Sequence, residues 1–584
     1  MTSSVNQTPG ARRFGFTRET QIDVLIGVAL FLVTIIVLSQ TSLSLGFTRD
    51  EGYYFKAGEL YFGWFRELYQ DWSQGNWWRP FQQDVIDKHW KYNHEHPVLV
   101  KAAFALSWGV LKEQWGLFDL HSSAFRFPAW VFAGFSVALV FALGRALLPR
   151  RAALLAALMW ISMPRVFWHM HLACFDIPVC AAHLWLVYAY YKGRWSLKGG
   201  LLIGIAFGLA ISVKHNVLVT PAFFVLHWLV MEARGFKRTK SSFQVPAIPA
   251  SFFFLAIVGP IVFVAHWPYV WSKTIERIGW YLGFHLKHEH YPILWFKDLL
   301  TAPPFPISFP FVMSAVTIPV PLLVVFSMGF LWAVYAAGRT VVHRIMGTDE
   351  PGDQRVPLGD TSKEPTGSVA FLLLLNIAFP FLLIALPSSP IFGGTKHWMN
   401  ALPFLCILGA WVLEDAFCRL QVLGQAYGAN LNKRTIQVVT LFIFVGVLIP
   451  GIAISARVHP FGLASYNSVV GFARGAANTG FQRTFWGYEP RQELPFVNET
   501  MPKNGRIHFG DTNLDDYKMY RRDGLLRKDI RYSGNVSNAQ MASVQPQGEF
   551  KAQWMKVLNN WQVNGPDVVV HIEGVPLVTI TKKP

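Results

Sequence analysis

The most regular pattern along this chain is the alternation of long apolar segments with shorter polar ones. An apolar segment of about 20 residues with few charges is long enough to cross a bilayer as a helix. Eleven segments, some of them short, fit this pattern and cover residues 22–45, 125–147, 152–170, 174–191, 199–213, 216–232, 248–270, 310–338, 367–387, 397–418 and 436–456. The pattern therefore predicts an all-α polytopic membrane protein with about 11 transmembrane helices.

Basic residues follow the even-numbered predicted helices. They are Arg145, Arg150, Arg151, Lys192, Arg194, Lys198, Arg234, Lys237, Arg238, Lys240, Arg339, Arg344, Arg355, Lys363, Arg419, Lys433 and Arg434. Because cytoplasmic loops carry the excess of Lys and Arg, this distribution predicts a cytoplasmic N-terminus. The first apolar segment is too long for a signal peptide and is interpreted as a retained anchor. The predicted location is the inner (plasma) membrane, with several passes.

Two long loops, 46–124 and 271–309, lie on the outer side in this threading. In the first loop, apolar residues recur at every fourth position, at Leu60, Trp64, Leu68 and Trp72. This spacing predicts one face of a helix that lies at the membrane surface. Pro97 favours the start of a second interfacial helix over 98–111, because proline suits the first helical turn.

The sequence becomes less apolar after residue 456, and with eleven spans this tail lies outside. Residues 506–509 and 567–572 have the composition of strands, and 550–561 that of a helix. We predict two domains, a transmembrane domain over 1–456 and a small extracytoplasmic α/β domain over 457–584.

Composition excludes a soluble protein. The 584 residues are 52% hydrophobic and 15% aromatic, with a net charge of +17. A soluble nucleic-acid-binding protein could be this basic, but not with so many apolar spans. We therefore expect membrane lipids, not nucleic acid, as partners.

The polar residues that interrupt the apolar pattern fall on one side of the membrane. Asp50-Glu51 follows the first helix, and adjacent carboxylates near a bilayer are costly unless they are solvated, paired or used. One interpretation makes Asp50 a general base with Glu51 orienting it. The alternative is a solvated start of the loop, with a local ion pair to Arg49.

Further charged residues lie at helix ends on this outer side. Asp176 begins the fourth predicted helix and either caps it or lines a site. Lys214 and His215 end the fifth helix, where a cation suits the helix dipole or holds a phosphate. Lys396 and His397 begin the tenth helix, where the dipole gives a cation no advantage.

Two HEH triplets are each closely followed by a proline. They are His94-Glu95-His96 and His288-Glu289-His290. Histidines two apart point the same way on a strand, so a divalent metal held by these residues stays an open alternative. Contact with substrate is the preferred interpretation, and no cofactor is assigned.

Taken together, these residues resemble the integral-membrane glycosyltransferases of family 39, the protein O-mannosyltransferases, with the aminoarabinose transferase of lipid A as a relative. The shared motifs are Asp50-Glu51, His96-Pro97-Val98-Leu99, Arg126-Phe127-Pro128, Asp176, and Lys396-His397-Trp398 through Leu402-Pro403. The stretches 281–304 and 459–487 also resemble this family. The resemblance covers roughly residues 45–490.

This resemblance implies a GT-C fold and inverting transfer of a sugar from a polyprenyl-phosphate donor to an acceptor hydroxyl at the outer membrane face. Asp50 and Glu51 would be catalytic. The implied phosphate-binding residues are Lys214, Lys396, His397, Lys101 and Arg126. The implied substrate-binding residues are Asp176, His94, Glu95, His96, His215, Tyr281 and His288.

The sequence departs from the family in two ways. Val98 stands where a second proline is usual, and the loop 271–309 is too short for the lumenal β-trefoil insert of the eukaryotic enzymes. Protein O-mannosylation is therefore not implied, a bacterial membrane is favoured, and sugar and acceptor stay open. The alternatives are a secondary transporter or a non-catalytic protein that binds lipid-linked glycans.

Overall fold

The computed structural model describes residues 17–238, 242–287, 289–348, 364–426, 433–485, 487–489 and 491–584. Most of these residues are helical. The α-helices are α1 Arg18–Thr41, α2 Arg49–Ser73, α3 Gln83–Trp90, α4 Leu99–Leu106, α5 His121–Leu147, α6 Arg150–Ser162, α7 Pro164–His169, α8 Asp176–Gly193, α9 Leu197–Ile211, α10 Thr220–Met231, α11 Ala250–His266, α12 Thr274–Leu286, α13 Phe309–Thr317, α14 Val320–Met346, α15 Thr366–Ala385, α16 Leu402–Ala426, α17 Lys433–Val458, α18 Phe472–Thr479, α19 Leu494–Thr500, α20 Leu514–Arg522 and α21 Lys551–Trp561.

Each predicted membrane segment coincides with helix, but two of them are interrupted. The segment 152–170 is divided between α6 and α7, and Pro164 opens α7. The segment 310–338 is divided between α13 and α14, with Pro319 just before the second helix. Proline cannot donate the backbone hydrogen bond of a helix interior, so each break occurs where a proline can start a new helix.

Among the described residues, six helices are long and apolar enough to cross a membrane, and three shorter apolar helices accompany them. The six are Arg18–Ser44, His121–Leu147, Val320–Met346, Thr366–Ala385, Met399–Val422 and Gln437–Val458. Large apolar side chains stay exposed on α1, where Leu25 is 67% exposed, which suits contact with lipid. The chain is therefore a multi-pass membrane protein.

The outer segment 46–124 contains the two predicted surface helices. The stripe from Leu60 to Trp72 lies on α2, where Trp64 is buried and Trp72 is exposed. The helix predicted over 98–111 is α4, followed by a π-helical turn over Ser107–Gln114. Helix α4 packs against α5, and α2 packs against α4.

The strands are short and mostly C-terminal. They are β1 Phe47–Thr48, β2 Lys237–Arg238, β3 Phe243–Gln244, β4 Ile293–Trp295, β5 Asp298–Leu300, β6 Tyr488–Glu489, β7 Arg506–Phe509, β8 Arg531–Tyr532, β9 Met541–Val544, β10 Val568–Ile572 and β11 Val575–Lys582. Five of them form a mixed sheet in the order β10-β11-β9-β7-β8. The predicted fold class, a helical membrane protein with a small C-terminal α/β region, is confirmed.

The start of the first outer loop pairs with the C-terminal region. Strand β1 pairs antiparallel with β6, so Phe47 and Thr48 lie beside Glu489 and Tyr488. This pairing fixes the chain just before Asp50. The boundary at residue 456 itself stays a prediction, although α17 ends at Val458.

Candidate active site

The Asp50-Glu51 pair lies in the first turn of α2. Thr48 is the N-cap, and Glu51 accepts a hydrogen bond from the Thr48 backbone N–H at 3.1 Å, which forms a capping box. A capping box satisfies backbone donors that would otherwise lack partners at a helix start. The two adjacent carboxylates therefore point into different surroundings.

Glu51 is fully buried and binds the guanidinium of Arg126 on α5. The Arg126 Nε and one terminal nitrogen donate to the two Glu51 oxygens at 2.7 and 2.8 Å. The same terminal nitrogen donates to the Gly46 carbonyl, and the Ala173 N–H donates to Glu51 at 3.0 Å. Two charges buried together need such a set of hydrogen bonds to offset their desolvation. Arg126, predicted to bind phosphate, is thus engaged by protein atoms.

Asp50 belongs to a string of alternating charges drawn from four parts of the chain. Its Oδ2 lies 3.2 Å from the ammonium of Lys396. Asp176 lies near the same ammonium and is 3.1 Å from the ammonium of Lys214. On its other oxygen, Asp176 approaches His169 Nδ1 at 3.3 Å.

The members of this string differ in exposure. The Asp50 side chain is 27% exposed, that of Asp176 is 7% and that of Lys396 is 8%. Burial lowers the pKa of Lys396, but the carboxylates of Asp50 and Asp176 raise it by more, so the net pKa lies above its ordinary value. A fixed ammonium therefore stands between two carboxylates, of which only Asp50 is open to a reactant.

The first HEH triplet forms a tight loop around a buried lysine. The Lys101 ammonium donates to the carbonyl of His96 at 3.0 Å and to both oxygens of Asn93. Burial lowers the pKa of Lys101 to about 7. Lys101, predicted to bind phosphate, is therefore placed by the structure beneath the loop, where it holds the loop's carbonyls.

His96 borders an aromatic and histidine cluster. Burial, and after it the charge of Lys101, lowers the pKa of His96 well below its ordinary value. The His96 ring lies 5.2 Å from Phe175, which precedes Asp176, and 5.9 Å from His285. This contact places the first triplet beside the string of charges.

His285 connects several predicted substrate residues. Its ring stacks on His215 at 3.8 Å and lies 4.8 Å from the ring of Tyr281. Its Nε2 is 2.8 Å from the carbonyl oxygen of Glu95. The buried Tyr281 hydroxyl has no hydrogen-bond partner in the described part of the chain.

Other predicted residues point elsewhere. His94 stacks on Trp280 at 4.4 Å, whereas the Glu95 carboxylate accepts a bond from Asn93. His397, the residue after Lys396, accepts a hydrogen bond at Nε2 from the Gly393 N–H at 3.0 Å.

The second HEH triplet is only partly described. His288 lies outside them, and the ring of His290 rests against Phe305 at 5.2 Å. Within the described ranges, no three His, Cys, Asp or Glu side chains form a group that could hold a metal ion.

Sequence reasoning missed two residues of the site, His169 and His285. His169 lies in a predicted membrane segment, where any ionisable side chain is a candidate functional residue by default. Its position in an apolar segment could therefore have identified it as a candidate site residue. His285 gave no such signal, because its contacts depend on how α12 packs against the first triplet.

Comparison with known protein families covers some residues of this site. A family model described as dolichyl-phosphate-mannose-protein mannosyltransferase matches residues 104–264. This match confirms the resemblance to membrane glycosyltransferases over that part of the chain. It includes Arg126, Asp176 and Lys214, whereas Asp50 and Lys396 lie outside it. No curated protein sequence matches this chain.

Three solved structures show a distant likeness. ArnT from Cupriavidus metallidurans bound to undecaprenyl phosphate has a TM-score of 0.47 and 13% identity, over 96% of this chain and 98% of that chain. The apo state of the same protein gives 0.45 and 13%, over 95% and 98%. AglB from Archaeoglobus fulgidus, with an inhibitory peptide and a dolichol-phosphate, gives 0.42 and 12%, over 86% and 64%. At such TM-scores these likenesses carry no conclusion about function.

Proposed function

We propose that this protein is an inverting glycosyltransferase of the GT-C type that transfers a sugar from a polyprenyl-phosphate donor to an acceptor hydroxyl. The observation that carries the proposal is the string Asp50, Lys396, Asp176 and Lys214, in which Asp50 is the most exposed carboxylate. The matching family model names a polyprenyl-phosphate sugar, dolichyl-phosphate-mannose, as donor. The partners are then this lipid donor, the surrounding lipids, and an acceptor on a protein, lipid or glycan.

Asp50 acts as the general base in this proposal. The acceptor oxygen attacks the anomeric carbon, its proton passes to the Asp50 carboxylate, and the bond from that carbon to the phosphate oxygen breaks. The electron pair leaves with the phosphate, which needs no protonation by a second acid. Attack opposite to the leaving group inverts the configuration.

The cations of the string stabilise the departing phosphate. Negative charge grows on the phosphate as the bond breaks, and fixed donors aimed at that charge lower the barrier. Lys396 is held between Asp50 and Asp176, and Lys214 is held by Asp176, so both ammonium groups are positioned before the donor binds. Asp176 thereby positions the phosphate-binding lysines, and Glu51 with Arg126 positions Asp50.

The orientation is part of the proposal. The basic loops favour a cytoplasmic N-terminus, which places the site and the C-terminal region on the outer face of a bacterial plasma membrane. The donor's polyprenyl tail would stay in the bilayer beside the apolar helices, with its phosphate at the surface.

The test is a transfer assay with Asp50→Asn. This variant keeps the shape of the side chain but removes the base. The purified protein in detergent receives a panel of radiolabelled polyprenyl-phosphate sugars and host membrane extract as acceptor. We expect transfer to fall at least about 10³-fold in Asp50→Asn while donor binding persists.

The matched control is Asp84→Asn, which removes an exposed carboxylate of the same outer loop. It should transfer like the wild type. Undiminished transfer by Asp50→Asn would overturn the base assignment. Binding of lipid-linked sugars without transfer in the wild type would favour the non-catalytic binding protein.

A further inference from the structure

Arg165 is a buried guanidinium that the string of charges does not use. It lies on α7, is 4% exposed, and donates from Nε to the Ser465 carbonyl at 3.1 Å. By hydrogen-bond geometry, neither of its terminal nitrogens has a partner in the part of the chain that the structure describes, although the Tyr466 hydroxyl lies close enough to interact electrostatically with the guanidinium. A buried cation left in this state is costly, because desolvation is not offset by an opposite charge.

Two aromatic rings hold this guanidinium in place. Its carbon lies 4.8 Å from the centre of the Tyr466 ring and 5.4 Å from that of Phe485. The Tyr466 hydroxyl, which lies near the guanidinium, donates to the Gln482 carbonyl. The aromatic contacts fix the plane of the guanidinium and leave its terminal N–H groups to a ligand.

Two further residues near this position carry buried hydroxyls without partners in the described part of the chain. The buried hydroxyls of Ser465 and Thr395 have no hydrogen-bond partner among the described residues. Ser465 supplies the carbonyl that Arg165 binds. Thr395 follows Gly394, and a Cβ placed on Gly394 would meet the Phe485 ring at 2.9 Å. The Phe485 ring is therefore near both Arg165 and Gly394, the residue before Thr395.

This group of donors adjoins the proposed active site. Thr395 immediately precedes Lys396, the cation beside Asp50. Arg165 lies one helical turn before His169, which contacts Asp176, and both Arg165 and Lys396 act electrostatically on His169. Unused donors thus lie behind the lysines that we assign to the donor phosphate.

We propose that Arg165, with the hydroxyls of Ser465 and Thr395, binds the phosphoryl group of the polyprenyl phosphate. This inference rests on the proposed function, which supplies the phosphate. A guanidinium offers two parallel N–H donors to phosphate oxygens, and the phosphate gains charge when it changes from a diester to a monoester. Arg165 therefore binds the product, a polyprenyl monophosphate, more tightly than the donor.

The test is a binding titration with the full chain in detergent, in which tryptophan fluorescence reports binding. The probes are a polyprenyl monophosphate, the corresponding polyprenol and inorganic phosphate. Arg165→Met should weaken binding of the monophosphate at least about tenfold and leave binding of the polyprenol unchanged. The control is Arg457→Met, which removes a guanidinium stacked on Phe472 at 4.3 Å outside the site.

Two conservative variants keep the test decisive if Arg165→Met does not fold. Arg165→Lys keeps the charge without the two parallel donors, and Ser465→Ala removes one hydroxyl. We expect both to bind the monophosphate several-fold more weakly than the wild type. Affinity equal to the wild type in both, or in a folded Arg165→Met, would overturn the inference.

The readout separates this inference from the proposed function. Loss of monophosphate binding in Arg165→Met, in a protein that transfers no sugar, would leave the inference standing and remove the transferase. Transfer that requires Asp50 but not Arg165 would support the transferase and overturn the assignment of Arg165 to the phosphate. If inorganic phosphate binds the wild type as tightly as the lipid does, the site is one for free phosphate and the lipid assignment is overturned.

Discussion

The three carboxylates near the start of α2 have different surroundings, and these decide what each can do. Glu51 is fully buried and all its contacts are with protein donors. Asp176 is buried between Lys214 and His169. Asp50 alone combines partial exposure with a neighbouring cation. A base must reach a reactant, so Asp50 is the one whose geometry suits proton transfer.

Removal of Lys396 tests the electrostatic part of this site. Lys396→Met leaves Asp50 and Asp176 without their shared cation and takes one positive charge from the departing phosphate. We expect kcat to fall about 10²–10³-fold, as for removal of one preorganised donor. The measurement is single-turnover transfer at saturating donor. Lys396→Arg should recover part of the rate because the charge returns.

The control for this prediction is Lys518→Met, which removes a half-exposed lysine that pairs with Asp515 on α20. Its kcat should equal that of the wild type. An unchanged rate in Lys396→Met would show that the phosphate is stabilised elsewhere.

At the scale of helices, the sequence predicts which segments are helical but not which helices contact each other. The apolar segments coincide with helices because the length of an apolar segment can be read directly from consecutive residues. The pairing of Glu51 with Arg126 joins residues 75 apart, and no local pattern encodes it. Similarly, Lys101 looked like a phosphate ligand from its charge, yet α4 directs it under the loop of the first triplet.

The ion pair between Glu51 on α2 and Arg126 on α5 is predicted to fix the position of α2, and with it Asp50, against α5. Arg126→Met leaves the fully buried Glu51 carboxylate without its cation, which costs about 3–5 kcal/mol in comparable buried pairs. We expect a large fall in the midpoint of thermal unfolding in detergent. The double variant Glu51→Gln/Arg126→Met should be less destabilised than the sum of the two single variants, because the partners are coupled.

A pair of similar geometry provides the comparison. Arg151 binds Glu414 through two nitrogens at 2.9 and 2.6 Å, but the Arg151 side chain is 39% exposed. Arg151→Met should therefore cost about 1 kcal/mol or less. Additive effects of the Glu51 and Arg126 variants would contradict the proposed coupling.

At the scale of the whole molecule, the C-terminal region contacts the candidate active site. Arg49 pairs with Asp511 at 3.1 Å, next to the proposed base. Asp523 accepts hydrogen bonds from the first N–H groups of α5 at 2.7 and 3.3 Å, and so caps a membrane helix from a distance. No sequence pattern predicts these contacts, since each joins residues hundreds of positions apart in the chain.

One buried carboxyl group at this junction is predicted to make stability depend on pH. Asp516 is fully buried on α20, and a Cβ on Gly52 would lie 2.7 Å from its Oδ1. Burial, and after it the charge of Glu51, raises the pKa of Asp516 well above its ordinary value. Asp516 therefore stays protonated in the folded protein at pH values where the unfolded chain has already lost the proton.

The sign of the effect follows from this difference in bound protons. Below the ordinary pKa of aspartate both states are protonated and the group has no effect on stability. As pH rises above that value, the unfolded state gains from ionising and the folded state does not, so stability falls until the folded pKa is reached. Asp516→Asn cannot ionise in either state and should escape this loss.

We therefore expect Asp516→Asn to melt several degrees above the wild type at neutral pH and close to it near pH 4, because the penalty develops only between the two pKa values. The measurement is a series of thermal melts in detergent from pH 4 to 8. The neighbouring Asp515, which pairs with Lys518, supplies the control Asp515→Asn, for which no such gain is expected. Parallel pH profiles for Asp516→Asn and the wild type would mean that Asp516 ionises in the folded protein, and that this junction tolerates its charge.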